Sequence, residues 1–409
     1  MPSLADDVLP LIRSRAELWR WHAANRHGAQ MHGAIDQLEA ALPTTDAAEA
    51  YAVAHKALAS AVTVIARADD SSGIIGDACR RLLALHPVLA AAASVAPRKL
   101  VDWMMRFQLE GDVDYFELDP VAYAPALGDQ GMALYRRRLD EVRQRIGEVP
   151  AGVESFDASH RHERWVLEWN DRRLAVHDRD VDAIIRTHAR DRSVAAWHHD
   201  TAKAFEEIGE VDLAIDWARQ AVEHGRDFQS LRASDYWCTL LEQHRPAEAL
   251  EARLLVFRRW PSSSTAAALH RAAGPASPEY RDEVLAALEP SPRDAVAFAQ
   301  STLKDLELAW RLAHSLGLRD AATWRELGKA YERVDALAVL PVYRDLVEAE
   351  LVEARAQQYG FAARRLARMR RIAAGTDQAD AVEQFIAELR ERYYRRPRLQ
   401  QEFDRAGLP

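Results

Sequence analysis

The chain of 409 residues contains only two cysteines, Cys79 and Cys238. They lie far apart, which excludes a disulfide framework and reads as two buried, reduced thiols. Lysine is nearly missing too, and with abundant alanine this reads as the mark of a GC-rich genome. The longest apolar run, Leu82 to Ala96, is interrupted by His86 and Pro87 and is too short to span a bilayer. No apolar signal core follows Asp6 and Asp7, so the expectation is a cytoplasmic protein with no membrane segment. Sustained alternation of Val, Ile and Thr is absent, which argues against strands. The sequence holds no Gly-x-Ser-x-Gly, no His-Glu-x-x-His and no dinucleotide fingerprint. Gly328-Lys329 lacks the upstream glycine and the following Ser or Thr of a phosphate loop. No catalytic residue and no cofactor follow from motifs.

What is present is ordinary soluble-protein material, 48% apolar and 29% charged. The net charge of −9 argues against binding nucleic acid over the whole surface. That charge is uneven, because residues 364–409 hold eleven arginines against seven acids. Helical spacing of Leu11, Leu18, Trp21, Ile35 and Leu38 predicts a helix over 4–42, with Gly28 and Gly33 as candidate breaks. Thr44 or Thr45 is placed to cap a helix over 46–68, and another is expected over 74–95 with a kink at Pro87. Pro97 suits the first turn of a helix through Leu109, and Met132–Ile146 is amphipathic. Gly147, Pro150, Gly152 and Ser155 mark a boundary loop.

The later chain repeats itself. Phe205 is followed nine residues on by Ala214, then Ala218 and Ala221; Leu240 is followed nine residues on by Ala249, then Val256 and Pro261. Small residues at helix crossings, faced by large ones, let two helices pack closely. Trp324-x-x-Leu327-Gly328-x-x-Tyr331 fits the first helix of a tetratricopeptide (TPR) repeat, although the alanine expected in the second helix is Leu340, followed by Pro341. The expected fold is therefore all-α, an N-terminal helical bundle followed by an α-solenoid of TPR-like helical hairpins. The expected segments are a bundle over 1–95, a helical connecting module over 96–162, and a repeat array over 163–409.

Several short stretches resemble one bacterial family. Asp180-Val181-Asp182-Ala183-Ile184-Ile185, Asp191, and Ile208-Gly209-Glu210 through Trp217-Ala218 are similar to the helical repeat region of actinobacterial SWIM zinc-finger family proteins. Arg245-Pro246-Ala247-Glu248-Ala249-Leu250, Asp305 to Trp310, Leu340-Pro341-Val342-Tyr343 and Phe385 to Arg390 continue the likeness, over roughly 165–405. The resemblance implies a repeat scaffold. The Cys-x-Cys and Cys-x-His pairs that define the zinc finger are absent, so its zinc and DNA roles are not implied.

Three functions can be weighed from the residues. A non-catalytic scaffold or adaptor, holding a protein or peptide on the concave face of the repeats, follows from the architecture. A nucleic-acid-associated factor would use the Arg/Tyr-rich tail: Arg390, Arg392, Tyr393, Tyr394, Arg395, Arg396 and Arg398, with Arg364, Arg365, Arg368, Arg370 and Arg371 upstream. A metal-dependent enzyme would draw zinc or manganese ligands from the His/Asp cluster at 160–200, where His160, His162, His198 and His199 are the weak candidates. Their separation argues for solvated or capping histidines instead. Trp165, Trp169, Trp197, Trp217, Trp237, Trp260, Trp310 and Trp324 could line a peptide groove, but helical spacing makes them core.

Overall fold

A computed structural model describes residues 3–111, 113–148, 159–352 and 356–409. Asp112 and the Pro150, Gly152 and Ser155 part of the expected boundary lie outside the described residues. Among the described residues the fold is all-α, and the only extended pairing is an isolated bridge between Leu18 and Ala68. No helix is long and apolar enough to cross a membrane among them. The chain divides into two compact units, Met1–Trp217 and Ala218–Pro409. The division falls inside the segment read from sequence as one array.

Unit 1 opens with α1 (Leu4–Ile12), α2 (Trp21–Ala41), α3 (Ala47–Ile65) and α4 (Ile74–Ala92). The expected helix over 4–42 is two helices, and the break is at 13–20 rather than at Gly28 or Gly33. Its cause is tertiary: Leu18 N–H donates to the Arg67 carbonyl at 3.1 Å, and Asp69 N–H to the Leu18 carbonyl at 2.8 Å. Gly28 is instead a close-approach site, because a Cβ there would stand 2.5 Å from Ile74 Cγ2. The cap of α3 is Asp46, not Thr44 or Thr45; its carboxylate accepts from Ala48 and Glu49 N–H. Pro87 sits within α4, buried on the same stretch as His86.

Next come α5 (Pro97–Glu110) and α6 (Pro120–Ile146), both begun by a proline whose missing N–H costs nothing in a first turn. The α6 segment starts twelve residues before the expected Met132 and is interrupted at Gly128, where φ is +57°. Then follow α7 (Arg161–Asp178), α8 (Val181–Ile184), a π-helical turn (Ile185–Ala189) and α9 (Ala195–Glu207). The side chains of α1 to α4 form one apolar core, and α5, α6 and α7 enclose a second around Met104, Tyr123, Tyr135 and Leu167.

The division between units lies within α10 (Val211–His224). Unit 2 continues with α11 (Phe228–His244), α12 (Pro246–Arg259), α13 (Ser263–Ala273), α14 (Ser277–Leu288), α15 (Pro292–Ala297) and a second π turn (Phe298–Thr302). It ends with α16 (Leu306–Ser315), α17 (Ala321–Tyr331), α18 (Leu340–Val352), α19 (Ala356–Ala373), α20 (Ala379–Arg392) and α21 (Pro397–Arg405). From α11 to α20, each helix packs on the next one in sequence. Small residues lie in the core: Ala218, Ala221, Ala249, Ala252, Ala266, Ala309 and Ala313 are all buried, as is Ala214 in unit 1. Pro341 falls in the first turn of α18, where a missing N–H costs no intrahelical hydrogen bond.

Candidate functional site

The second core of unit 1 holds polar groups that the sequence did not reveal. His86, fully buried on α4, shares a hydrogen bond of 2.9 Å with His55 Nδ1 of α3 through its Nε2. Its Nδ1 lies 2.9 Å from the hydroxyl of buried Tyr123 on α6. Trp103 stacks on the His86 ring at 4.3 Å, and Tyr51 packs on it at 5.1 Å. A neutral imidazole has one N–H and one lone pair, so each ring nitrogen of His86 is satisfied without a charge. Burial, and then the nearby His55, push the His86 pKa down to about 3. Burial and then Arg106 hold His55 below its ordinary value, and burial raises the Tyr123 hydroxyl well above its own. The sequence signal was a lone histidine inside the longest apolar run.

A second network joins α5, α6 and α7. Gln108 Nε2 donates to Tyr135 Oη at 2.8 Å, Tyr135 Oη donates to Asn170 Oδ1 at 2.7 Å, and Asn170 Nδ2 donates to Gln108 Oε1 at 3.0 Å. The ring closes on itself with every member buried, as buried polar groups require.

The structure does not bring the histidine candidates together. His160 Nδ1 pairs with Glu163 at 3.2 Å, His162 Nε2 meets the Gln108 carbonyl at 2.6 Å, and His198 Nε2 meets the Arg192 carbonyl at 3.3 Å. His199 follows His198 on α9, after the helical path has broken between Ala189 and Ala195. Among the described residues no three His, Cys, Asp or Glu side chains are arranged to hold a metal ion. Cys79 and Cys238 are buried thiols whose pKa values burial pushes up to about 12, as an unreactive core cysteine requires.

Half of the ten tail arginines singled out from the sequence are committed to the fold. Arg365 pairs with Glu350 at 2.8 Å, Arg368 with Glu332 and Arg370 with Glu383. Arg390 reaches Gln400 at 3.0 Å, Asp404 at 2.6 Å and the Leu408 carbonyl at 2.9 Å, so it ties α21 to α20. Arg396 donates to the Leu351 carbonyl at 2.7 Å and lies over Tyr393. What stays on the surface is Arg364, which lies over the Phe361 ring, and Arg371, then Arg392, Tyr394, Arg395 and Arg398, with Arg395 over the Tyr394 ring and Tyr394 63% exposed. Arg392 has only a distant partner, Glu348 at 3.8 Å.

The eight tryptophans from Trp165 to Trp324 are buried or half-buried. Trp169, Trp260 and Trp324 spend their indole N–H on the carbonyls of Leu118, Arg226 and Leu318. In α17 the four signature residues divide their labour. Tyr331 stacks on Trp310 of α16 at 4.3 Å with 3° between planes, and Trp324 meets the same ring edge-on. Leu327 enters the core, while a Cβ on Gly328 would stand 3.0 Å from Tyr343 of α18.

Two open hollows lie along α18 and share Pro341. One, of about 450 Å³, is lined by Leu318, Trp324, Val342 and Leu346, with Arg319 and Asp345. The other, of about 470 Å³, is lined by Leu337, Leu340, Met369 and Phe385, with Arg344 and Asp377. Residues 342, 345, 346 and 349 form one face of α18 and 340, 341 and 344 the neighbouring one, with Leu337 in the turn before it. Both hollows therefore have apolar floors and charges of each sign.

These features define an all-helical protein whose open apolar hollows lie between successive helices of unit 2, with buried polar networks in unit 1. A family of unknown function, DUF6880, matches residues 9–399, and the chain belongs to that family. No curated protein matches it.

Proposed function

We propose that the chain is a non-catalytic adaptor whose C-terminal hairpins stack as a TPR-like solenoid and hold an extended peptide of a partner protein. The reading rests on one observation, the two hollows that meet at Pro341. Paired apolar floors flanked by Arg319, Arg344, Asp345 and Asp377 suit a peptide with two large apolar anchors and polar residues of mixed charge. The sequential helix packing of unit 2 and the buried alanines along its helices support the solenoid. The proposal takes over the repeat scaffold of the SWIM-family resemblance and none of its zinc chemistry.

The test is random peptide display against the full chain. Peptides with two spaced apolar anchors should enrich, and Leu337→Arg, at a side chain already 39% exposed, should abolish their binding. No enrichment, or binding untouched by that substitution, would overturn the reading. A second reading, local contact with nucleic acid, is favoured by the exposed Tyr394–Arg395 platform.

A further inference from the structure

A cavity of about 210 Å³ lies elsewhere in unit 2, walled by α13, α14 and the second π turn. Three local features open it. Ala266 and Ala273 stand seven residues apart on the face of α13 that also carries Leu269, so two short side chains face the space where larger ones would fill it. The 3₁₀ turn Gly274–Ala276 separates α13 from α14. The π turn inserts an extra residue into its wall, as Leu303 N–H donates to the Phe298 carbonyl five residues back at 3.1 Å.

The lining is sorted by depth. Ala266, Leu269, Ala273, Val284 and Phe298 are buried. The polar members, His270, Ser277, Tyr280, Arg281 and Asp305, are half-buried or exposed and form the mouth together with exposed Pro278. Asp305 is held by the Leu308 N–H at 2.8 Å and by Arg281 at 3.2 Å, which fixes one side of that mouth. An apolar interior with a few convergent polar groups is the usual make-up of a small-molecule site. Size narrows the class further. An apolar cavity of about 150 Å³ in another protein is known to bind benzene, so this one has room for a ring with a substituent.

We propose that this cavity binds a small neutral aromatic molecule carrying one hydrogen-bonding group, such as a phenol or an indole. The ring lies against Ala273, Val284 and Phe298, and the polar group meets His270 or Tyr280 at the mouth. The site shares no residue with the hollows at Pro341, so its fate is independent of the adaptor reading.

The experiment uses the full chain with methyl-labelled Leu and Val, and p-cresol, indole and toluene as probes at millimolar concentration. Expected are intermolecular nuclear Overhauser effects from p-cresol and indole to the methyls of Leu269, Val284 and Leu303. Ala273→Leu should weaken binding of all three probes at least about tenfold, which is about 1.4 kcal/mol. His270→Ala together with Tyr280→Phe should weaken p-cresol but not toluene. Absence of the Overhauser effects in the wild-type protein overturns the proposal, whether or not Ala273→Leu folds. Equal loss of toluene and p-cresol in the mouth variant overturns the assigned polar contact.

Discussion

His86 Nε2 lies 2.9 Å from His55 Nδ1, so two imidazoles share one hydrogen bond between α3 and α4. A proton added to His86 would have to stay buried beside a second imidazole and a tyrosine hydroxyl whose own ionisation burial opposes.

Stability should therefore fall on mild acidification. The folded His86 titrates at about 3 against an ordinary 6.5, so the unfolded chain binds more protons between those values. The stabilisation is complete above pH 6.5 and is lost as pH falls towards 3, with a slope of at most about 1.4 kcal/mol per pH unit from this group. His188, pushed down to about 4 chiefly by burial, adds in the same sense. Chemical denaturation between about pH 5.5 and 7, where few carboxylates change state, should show the slope in wild type and a shallower one in His86→Leu.

Gly28→Ala should cost about 1–3 kcal/mol. The new methyl would meet Ile74, whose β-branched side chain has little freedom to move aside. Gly33→Ala, where a Cβ meets nothing within 4 Å, should be neutral or stabilising. Thermal melts of the pair separate close packing from helix propensity.

Ala214→Arg should destabilise by at least about 1–3 kcal/mol, because a long charged chain would enter a fully buried position. A wild-type denaturation midpoint for this variant would contradict a tight crossing at Ala214.

The tail arginines should separate into two groups. Arg390→Ala removes three hydrogen-bond partners and should lower stability by about 1–3 kcal/mol. Arg395→Glu with Arg398→Glu should leave the melt unchanged. If the chain holds a single-stranded nucleic acid, the same pair should abolish that binding and its dependence on salt in a fluorescence-anisotropy titration.

The helix start at Pro97, a proline in a first turn, was legible, whereas the cap at Asp46 and the start at Pro120 were not. The burial of Ala214 and Ala249 was legible too, since it needs only helical spacing to be read. The break at 13–20 was not, because its cause is pairing of Leu18 with a segment some fifty residues away. The candidate sites divide in the same way. The acids that neutralise Arg365, Arg368 and Arg370 come from other helices, so a basic run in one dimension became ion pairs in three. His55, His86 and Tyr123 are each more than thirty residues from the next, and no local pattern links them.

The ring formed by Gln108, Tyr135 and Asn170 has a consequence for how the chain comes together. Each member gives one hydrogen bond to the next, so sliding any one of three helices by a single residue would break two of the three bonds and leave buried polar atoms without those partners. Half-docked arrangements are thus penalised more than either the open or the finished one. Helices α5, α6 and α7 should consequently lock in concert, the ring serving as a gauge that admits one alignment and rejects its neighbours.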